Sequence, residues 1–178
     1  MNQTHKVHIV GIGDDGPAGL TTAARKLIEE AEVLLGESYA LSLVPGGTSQ
    51  VRVALGTGLN EAIERIQGAP GKRIVVLAMG DPLFYGVARY LCDKLGKDRF
   101  EVVPHVSAMQ TAFARVKESW EEAFLTNLAN HGVERVLEQV RSAEKVGLFT
   151  SEDSPPAAVA RTLLDQGLDY FTAYVCEN

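Results

Sequence analysis

Three short stretches of this sequence set glycine, carboxylate, proline and hydroxyl residues where a ligand could be gripped. The first, Gly11-Ile12-Gly13-Asp14-Asp15-Gly16, fits G-x-G-x-x-G, the turn that cradles a dinucleotide pyrophosphate at the start of a helix. Glu32 and Glu37 follow at roughly the distance at which such folds carry a ribose-binding acid. Two features oppose that chemistry. Asp14 and Asp15 would set two carboxylates against a pyrophosphate dianion, and like charges repel there. Pro17-Ala18-Gly19 then postpones the helix, so its N-terminus does not abut the third glycine. A nicotinamide-dependent Rossmann oxidoreductase is thus the weaker alternative. The plainer reading is a glycine-permitted turn closing a buried strand.

The second stretch is Gly80-Asp81-Pro82-Leu83-Phe84-Tyr85-Gly86. Glycine lets a ligand approach the backbone, and a residue before proline is biased to extended geometry, which presents the Asp81 carboxylate at a strand end. Phe84 and Tyr85 offer flat apolar surface; an Asp-Pro turn with aromatic packing is the competing explanation. The third, Val103-Pro104-His105-Val106-Ser107-Ala108-Met109-Gln110, repeats the layout of strand end, proline and then a Ser before a helix. Ser107 at an N-cap would aim a hydroxyl and free N–H groups into the same crevice. Of the four histidines, His5 and His8 are N-terminal, while His105 and His131 fall near the proposed cleft and read more readily as structural residues. No general base and no metal set stands out.

The elements that must carry these loops are legible. Lys6–Ile12, Arg73–Met79 and Val146–Thr150 are short, nearly continuous apolar runs, as expected of parallel strands buried on both faces. Weaker strand candidates are Glu32–Leu35, Gln50–Leu55, Phe100–Val103, Ala123–Leu128 and Tyr170–Cys176. Between them lie helical stripes: Ala24, Leu27, Ile28 and Ala31; Leu59, Ala62, Ile63 and Ile66; Val87, Leu91 and Leu95; Val133, Val136, Leu137 and Val140; and Val159, Ala160, Leu163 and Leu164. Gly96 and Gly167 stand just beyond two of them, where helices end. Alternating strands and helices mean an α/β architecture. The polar stretch Val116–Ser119 marks a boundary between a domain over 1–116 and a smaller one over 117–178, which reads as incomplete because it offers only about three strands.

Composition bounds the function. The 178 residues are 46% apolar with a net charge of −6, which argues against nucleic acid as the main partner. Two isolated cysteines point to neither a disulfide framework nor a zinc site. No apolar run is long enough to span a bilayer and the N-terminus lacks a signal-peptide pattern, so a cytoplasmic protein is expected.

Taken together, VGIGDDGPAGLT (Val10–Thr21), EAEVLLGE (Glu30–Glu37), MGDPLFYG (Met79–Gly86), VPHVSAMQ (Val103–Gln110), TSEDSPPAAVARTLL (Thr150–Leu164) and YVCEN (Tyr174–Asn178) resemble the tetrapyrrole methylase family over essentially the whole chain. The Gly-Asp-Asp-Gly opening is similar to the branch that methylates a corrin precursor at C5 on the way to cobalamin. The resemblance implies two α/β/α domains with S-adenosylmethionine bound in the cleft between them and S-adenosylhomocysteine as product. It implies that Met79, Gly80, Asp81 and Phe84 line the cofactor pocket with Ser107, Ala108 and, from the second domain, Thr150. Asp14 and Tyr85 fall on the substrate side. It also implies a homodimer, which would cover the apolar end strand Tyr170–Cys176, and it leaves open a C15-methylating decarboxylase domain or subunit. Two departures stand out: His105 where relatives usually carry Gly, and Asn130-His131-Gly132-Val133 where relatives often carry His-Gly-Arg. A fragment that binds cofactor without turnover is the remaining alternative.

Overall fold

A computed structural model of the chain describes residues 5–47, 49–56 and 58–177. In chain order its first part runs β1 (Val7–Ile12), α1 (Thr22–Glu30), β2 (Val33–Gly36), α2 (Ser38–Ser42), β3 (Val51–Ala54), α3 (Asn60–Gln67), β4 (Ile74–Met79), α4 (Val87–Leu95) and β5 (Phe100–Val103). The five strands form one parallel sheet in the order β3-β2-β4-β1-β5. Side chains alternate across a strand, so each inner strand feeds both faces. Val10, Ile12, Leu34, Val75 and Leu77 pack with Ala24 and Ile28 of α1 and Ala40 and Leu41 of α2. Val7, Ile9, Leu35, Ile74 and Val76 pack on the opposite face with Ala62 and Ile66 of α3 and Ala88 and Leu91 of α4. Each such buried Val, Leu or Ile contributes about 1.5–3 kcal/mol. This two-sided burial is why β1 and β4 read as unbroken apolar runs.

The chain then enters α5 (Ala108–Val116), β6 (Phe124–Asn127), α6 (Leu137–Ser142), β7 (Val146–Phe149) and α7 (Pro156–Asp165). β6 and β7 pair in parallel, Phe124 opposite Val146 and Asn127 opposite Phe149. Their core gathers Leu128, Val133, Val136, Val140, Val159 and Leu168. α7 ends in a Schellman motif: the amides of Gly167 and Leu168 donate to the carbonyls of Leu164 and Leu163, with Gly167 at φ 70°.

The outcome differs from the sequence expectations in four places. The chain divides into two compact units between Ser107 and Ala108, not at Val116, because α5 buries Met109 and Phe113 against Gly147 of β7. The first half of the stripe Val133–Val140 is a 3-10 turn over Val133–Val136, and only then does α6 begin. On α7, Val159 is buried and Leu163 partly so, while Leu164 is exposed. Tyr170–Cys176 is not a strand: it has no ladder partner among the described residues, and Tyr170, Tyr174 and Val175 face solvent. Alternating apolar residues make a strand only where a neighbouring edge accepts their hydrogen bonds.

Candidate functional site

The order β4-β1-β5 sets the three chemistry-bearing loops side by side at the carboxyl ends of adjacent strands. The Gly80 amide donates to the Ile12 carbonyl at 2.8 Å, carrying the β1–β4 ladder one residue past Met79. Gly11 is wedged between the other two loops. A Cβ there would lie 2.2 Å from the Gly80 oxygen and 2.7 Å from the His105 nitrogen. The Asp81 loop and the Ser107 loop therefore leave on either side of β1 at the same rim. The chain runs from β1 toward β2 but from β4 toward β5, in opposite directions along the sheet. Open α/β sheets bind ligands at such a reversal.

The loop after β4 is more than a proline turn. Gly80 holds a left-handed φ of 63°. The Asp81 carboxylate accepts the Leu83 amide at 2.9 Å, and the Phe84 amide donates to the Asp81 carbonyl at 3.1 Å. Pro82 is buried, and its carbonyl accepts the amide of Ala88 in α4. Tyr85 adopts φ 55°, a conformation that costs a non-glycine residue about 1–3 kcal/mol and is held by its surroundings. The Phe84 and Tyr85 rings stand edge to face, 5.0 Å between centroids. Met79 and Tyr85 are exposed at the rim, while Asp81 and Phe84 are half-buried.

In the first loop the Gly16 amide donates to the Gly13 carbonyl at 2.9 Å. α1 starts only at Thr22, where the Thr21 hydroxyl accepts the Ala24 amide at 3.2 Å. The postponed helix expected from Pro17-Ala18-Gly19 is thus observed. Glu32, considered above as a ribose acid, precedes β2 and sits at the opposite, amino end of the strands, paired with Lys72 at 2.8 Å. Asp14 accepts a hydrogen bond from the Tyr39 hydroxyl at 3.0 Å. That bond, and after it the carboxylate charge, raises the Tyr39 phenol above its ordinary value of 10.0. The His105 imidazole leans on Gly13, with Nε2 3.3 Å from the Gly19 carbonyl and Nδ1 3.4 Å from that of Val106. Neither role had a local signal in the sequence, because each contact joins segments far apart along the chain.

Ser107 ends the first unit, 5% exposed, and Ala108 opens α5 on the surface of the second. Thr150 lies at the carboxyl end of β7, exposed, just before a turn in which Ser151 and Ser154 exchange backbone hydrogen bonds. At the carboxyl end of β6, the buried Thr126 hydroxyl lies 3.4 Å from His131 Nε2, and His131 Nδ1 lies 3.3 Å from the Gly132 carbonyl. The first unit alone thus gathers Asp14, Met79, Gly80, Asp81, Phe84, Tyr85 and Ser107. Its rim segments 13–19, 80–86 and 104–107 hold Asp14, Asp15 and Asp81 but no Lys or Arg. Such a rim suits a cationic sulfonium nucleoside with hydroxyls to be accepted, and it opposes a pyrophosphate.

The sequence pattern of the tetrapyrrole (corrin/porphyrin) methylases matches residues 6–178. The chain belongs to the tetrapyrrole methylase family. The cobalt-precorrin-7 C(5)-methyltransferase of Salmonella typhimurium is 31% identical over 170 residues, which are 96% of this chain and 83% of that one. The decarboxylating precorrin-6Y C(5,15)-methyltransferase of a Sinorhizobium species is 30% identical over 89% of this chain but only 38% of its own length. The crystal structure of the precorrin-6Y methylase of Archaeoglobus fulgidus superposes with a TM-score of 0.72 at 23% identity, covering 88% of this chain and 79% of that one, a likeness of fold. As a tetrapyrrole methylase this protein is a methyltransferase that draws its methyl group from S-adenosylmethionine. The oxidoreductase alternative falls. Its fold would place β1 beside β2, in the order 3-2-1-4-5, whereas here β4 lies between them. No helix among the described residues is long and apolar enough to cross a membrane.

Proposed function

We propose that this methyltransferase acts on C5 of a corrin precursor in cobalamin biosynthesis. The likeness to C5-methylating relatives over 96% of the chain supports the substrate class. The observation that carries the site is Gly11, against which the Gly80 and His105 backbones close and which therefore joins three ligand-facing loops in one rim. In this reading Met79, Gly80, Asp81, Phe84, Ser107, Ala108 and Thr150 line the cofactor pocket, and Asp14 and Tyr85 meet the macrocycle. Bound S-adenosylmethionine supplies a methyl group already activated on sulfur. The protein's part is placement. The left-handed Gly80 lets a ligand approach the backbone, and the turn that Asp81 makes with Leu83 fixes its carboxylate. The Phe84–Tyr85 pair supplies apolar surface that excludes water.

The two compact units serve as the two α/β domains of the enzyme, which works in the cytoplasm as a homodimer. Exposed Leu164, Tyr170, Tyr174 and Val175 in the second unit support self-association. The longer relatives, of which this chain matches about two-fifths, are named as C(5,15)-methylating and decarboxylating, which supports a C15-methylating decarboxylase domain or subunit as partner. Calorimetry should give an S-adenosylhomocysteine Kd on the order of 1 μM, about −8 kcal/mol, and no NAD binding. Incubation with a corrin precursor and labelled S-adenosylmethionine should transfer one methyl group to C5, and sedimentation of the same sample should give twice the chain mass. Cofactor binding without transfer to any corrin precursor would defeat the catalytic reading, and a monomer would defeat the dimer.

A further inference from the structure

We infer that Tyr39 is a positioning residue of this site: its hydroxyl holds the Asp14 carboxylate over the end of β4, on the side where the macrocycle docks. The inference rests on the reading above that puts Asp14 at the substrate side.

β1 and β2 are not neighbours, since β4 lies between them. Their ends are therefore two strand spacings apart, about 9–10 Å, and residues just beyond them do not touch unless a long side chain reaches across. Tyr39, three residues past β2, makes that reach to Asp14, two residues past β1. β2 is last in register with β4 at Leu35 and Val76, while β4 continues to Met79. The Tyr39–Asp14 pair thus spans the rim beside the stretch of β4 that outruns its neighbour. It does so on the sheet face covered by α1 and α2, whereas the Asp81 loop turns to the face covered by α4. The two together bound the carboxyl end of β4 from opposite sides.

Tyr39 has little else to do. It is 55% exposed, while Ala40 and Leu41 beside it are buried and anchor α2 in the core. The Glu37 side chain at the N-cap of α2 makes no capping hydrogen bond, and the Tyr39 phenol donates to Asp14. A hydrogen bond at so exposed a place adds little to folding, yet one made to a carboxylate fixes its direction. The raised phenol value agrees with a hydroxyl that donates to a charged acceptor.

The test uses the full chain. Tyr39→Phe removes the hydroxyl alone and should fold with an unchanged Tm. We expect kcat/KM for the corrin precursor to fall about fivefold, about 1 kcal/mol, with the S-adenosylhomocysteine Kd within about twofold of wild type. In an Asp14→Asn background the same change should alter kcat/KM by less than about twofold, because the charged acceptor is already gone. A Tyr39→Phe enzyme equal to wild type, or one whose deficit persists undiminished in the Asp14→Asn background, overturns the assignment while leaving the methyltransferase reading intact. A wild-type chain that binds S-adenosylhomocysteine but neither binds nor methylates the macrocycle overturns both.

Discussion

Gly11→Ala should disable the site from inside the sheet, without replacing any residue assigned to the ligand. Gly11 does not use a left-handed backbone, so alanine suffers no conformational penalty there and the whole effect is steric. The new methyl carbon would lie 2.2 Å from the Gly80 oxygen, 2.7 Å from the His105 nitrogen and 2.8 Å from the His105 Cβ. Ordinary contact begins near 3.4 Å, so the Gly80 carbonyl must retreat by about 1 Å. Two of the three opposing atoms are backbone, which cannot swing away as a side-chain tip can. Overpacking of this kind costs about 2 kcal/mol, or a Tm lower by about 4–8 °C for a chain of this length. The retreating backbone also carries Asp81. Displacements near 1 Å lower turnover by about 100-fold, and the S-adenosylhomocysteine Kd should rise at least about tenfold, about 1.4 kcal/mol. Thermal melts, calorimetry and a methyl-transfer assay read the three effects. Gly56→Ala is the control, because a Cβ there meets nothing within 4 Å, and it should stay within about 0.5 kcal/mol of wild type. A Gly11→Ala protein that melts and binds like that control would refute the claim that the three loops are locked together.

Two further outcomes test the packing and the electrostatics. Gly147→Ala meets Met109 Sδ at 2.6 Å, Leu125 Cδ2 at 2.7 Å and Phe113 Cε2 at 3.0 Å; because these are side-chain ends that can yield, the loss in a urea melt should stay near 1 kcal/mol, below that of Gly11→Ala. Glu32 is held below its ordinary 4.5 first by the hydrogen bond from Lys72 and then by the Arg73 amide. A carboxyl depressed on folding stabilises the protein above its unfolded value and loses that contribution as pH falls through the folded one. Urea melts should therefore find Glu32→Gln less stable than wild type at pH 7, with the gap closing below about pH 4.5; a gap that widens in acid would contradict the pairing.

Strand and helix content were legible wherever burial is symmetric or strictly one-sided. β1 and β4 declare themselves because helices cover both their faces, and α1, α3 and α4 because one stripe of each meets the sheet. Gly96, at φ 88°, closes α4 as its position suggested. α2 escaped notice because five residues are too few to repeat a helical period. Tyr170–Cys176 misled because apolar alternation records the taste of the side chains, not the presence of a partner strand. At the site, the loops were legible as strings of special residues, and the order of the strands was not. That order makes Gly11 a wedge and leaves Tyr39 to reach Asp14 across the end of β4.

The sheet's threading bears on how the protein is made. Of the five strands β1 leaves the ribosome first yet lies in the interior of the sheet, and its neighbours are β4 and β5, so Val7 must wait for Phe100. By contrast β2 and β3 pair across only 18 positions, Val33 with Val51, and can assemble early. Closing so long a loop is slow, and until β4 has emerged this inner strand has no partner. A nascent chain stalled before β4 and β5 have emerged is therefore the form most in need of a chaperone, and limited proteolysis of it should cut at His8–Ile12.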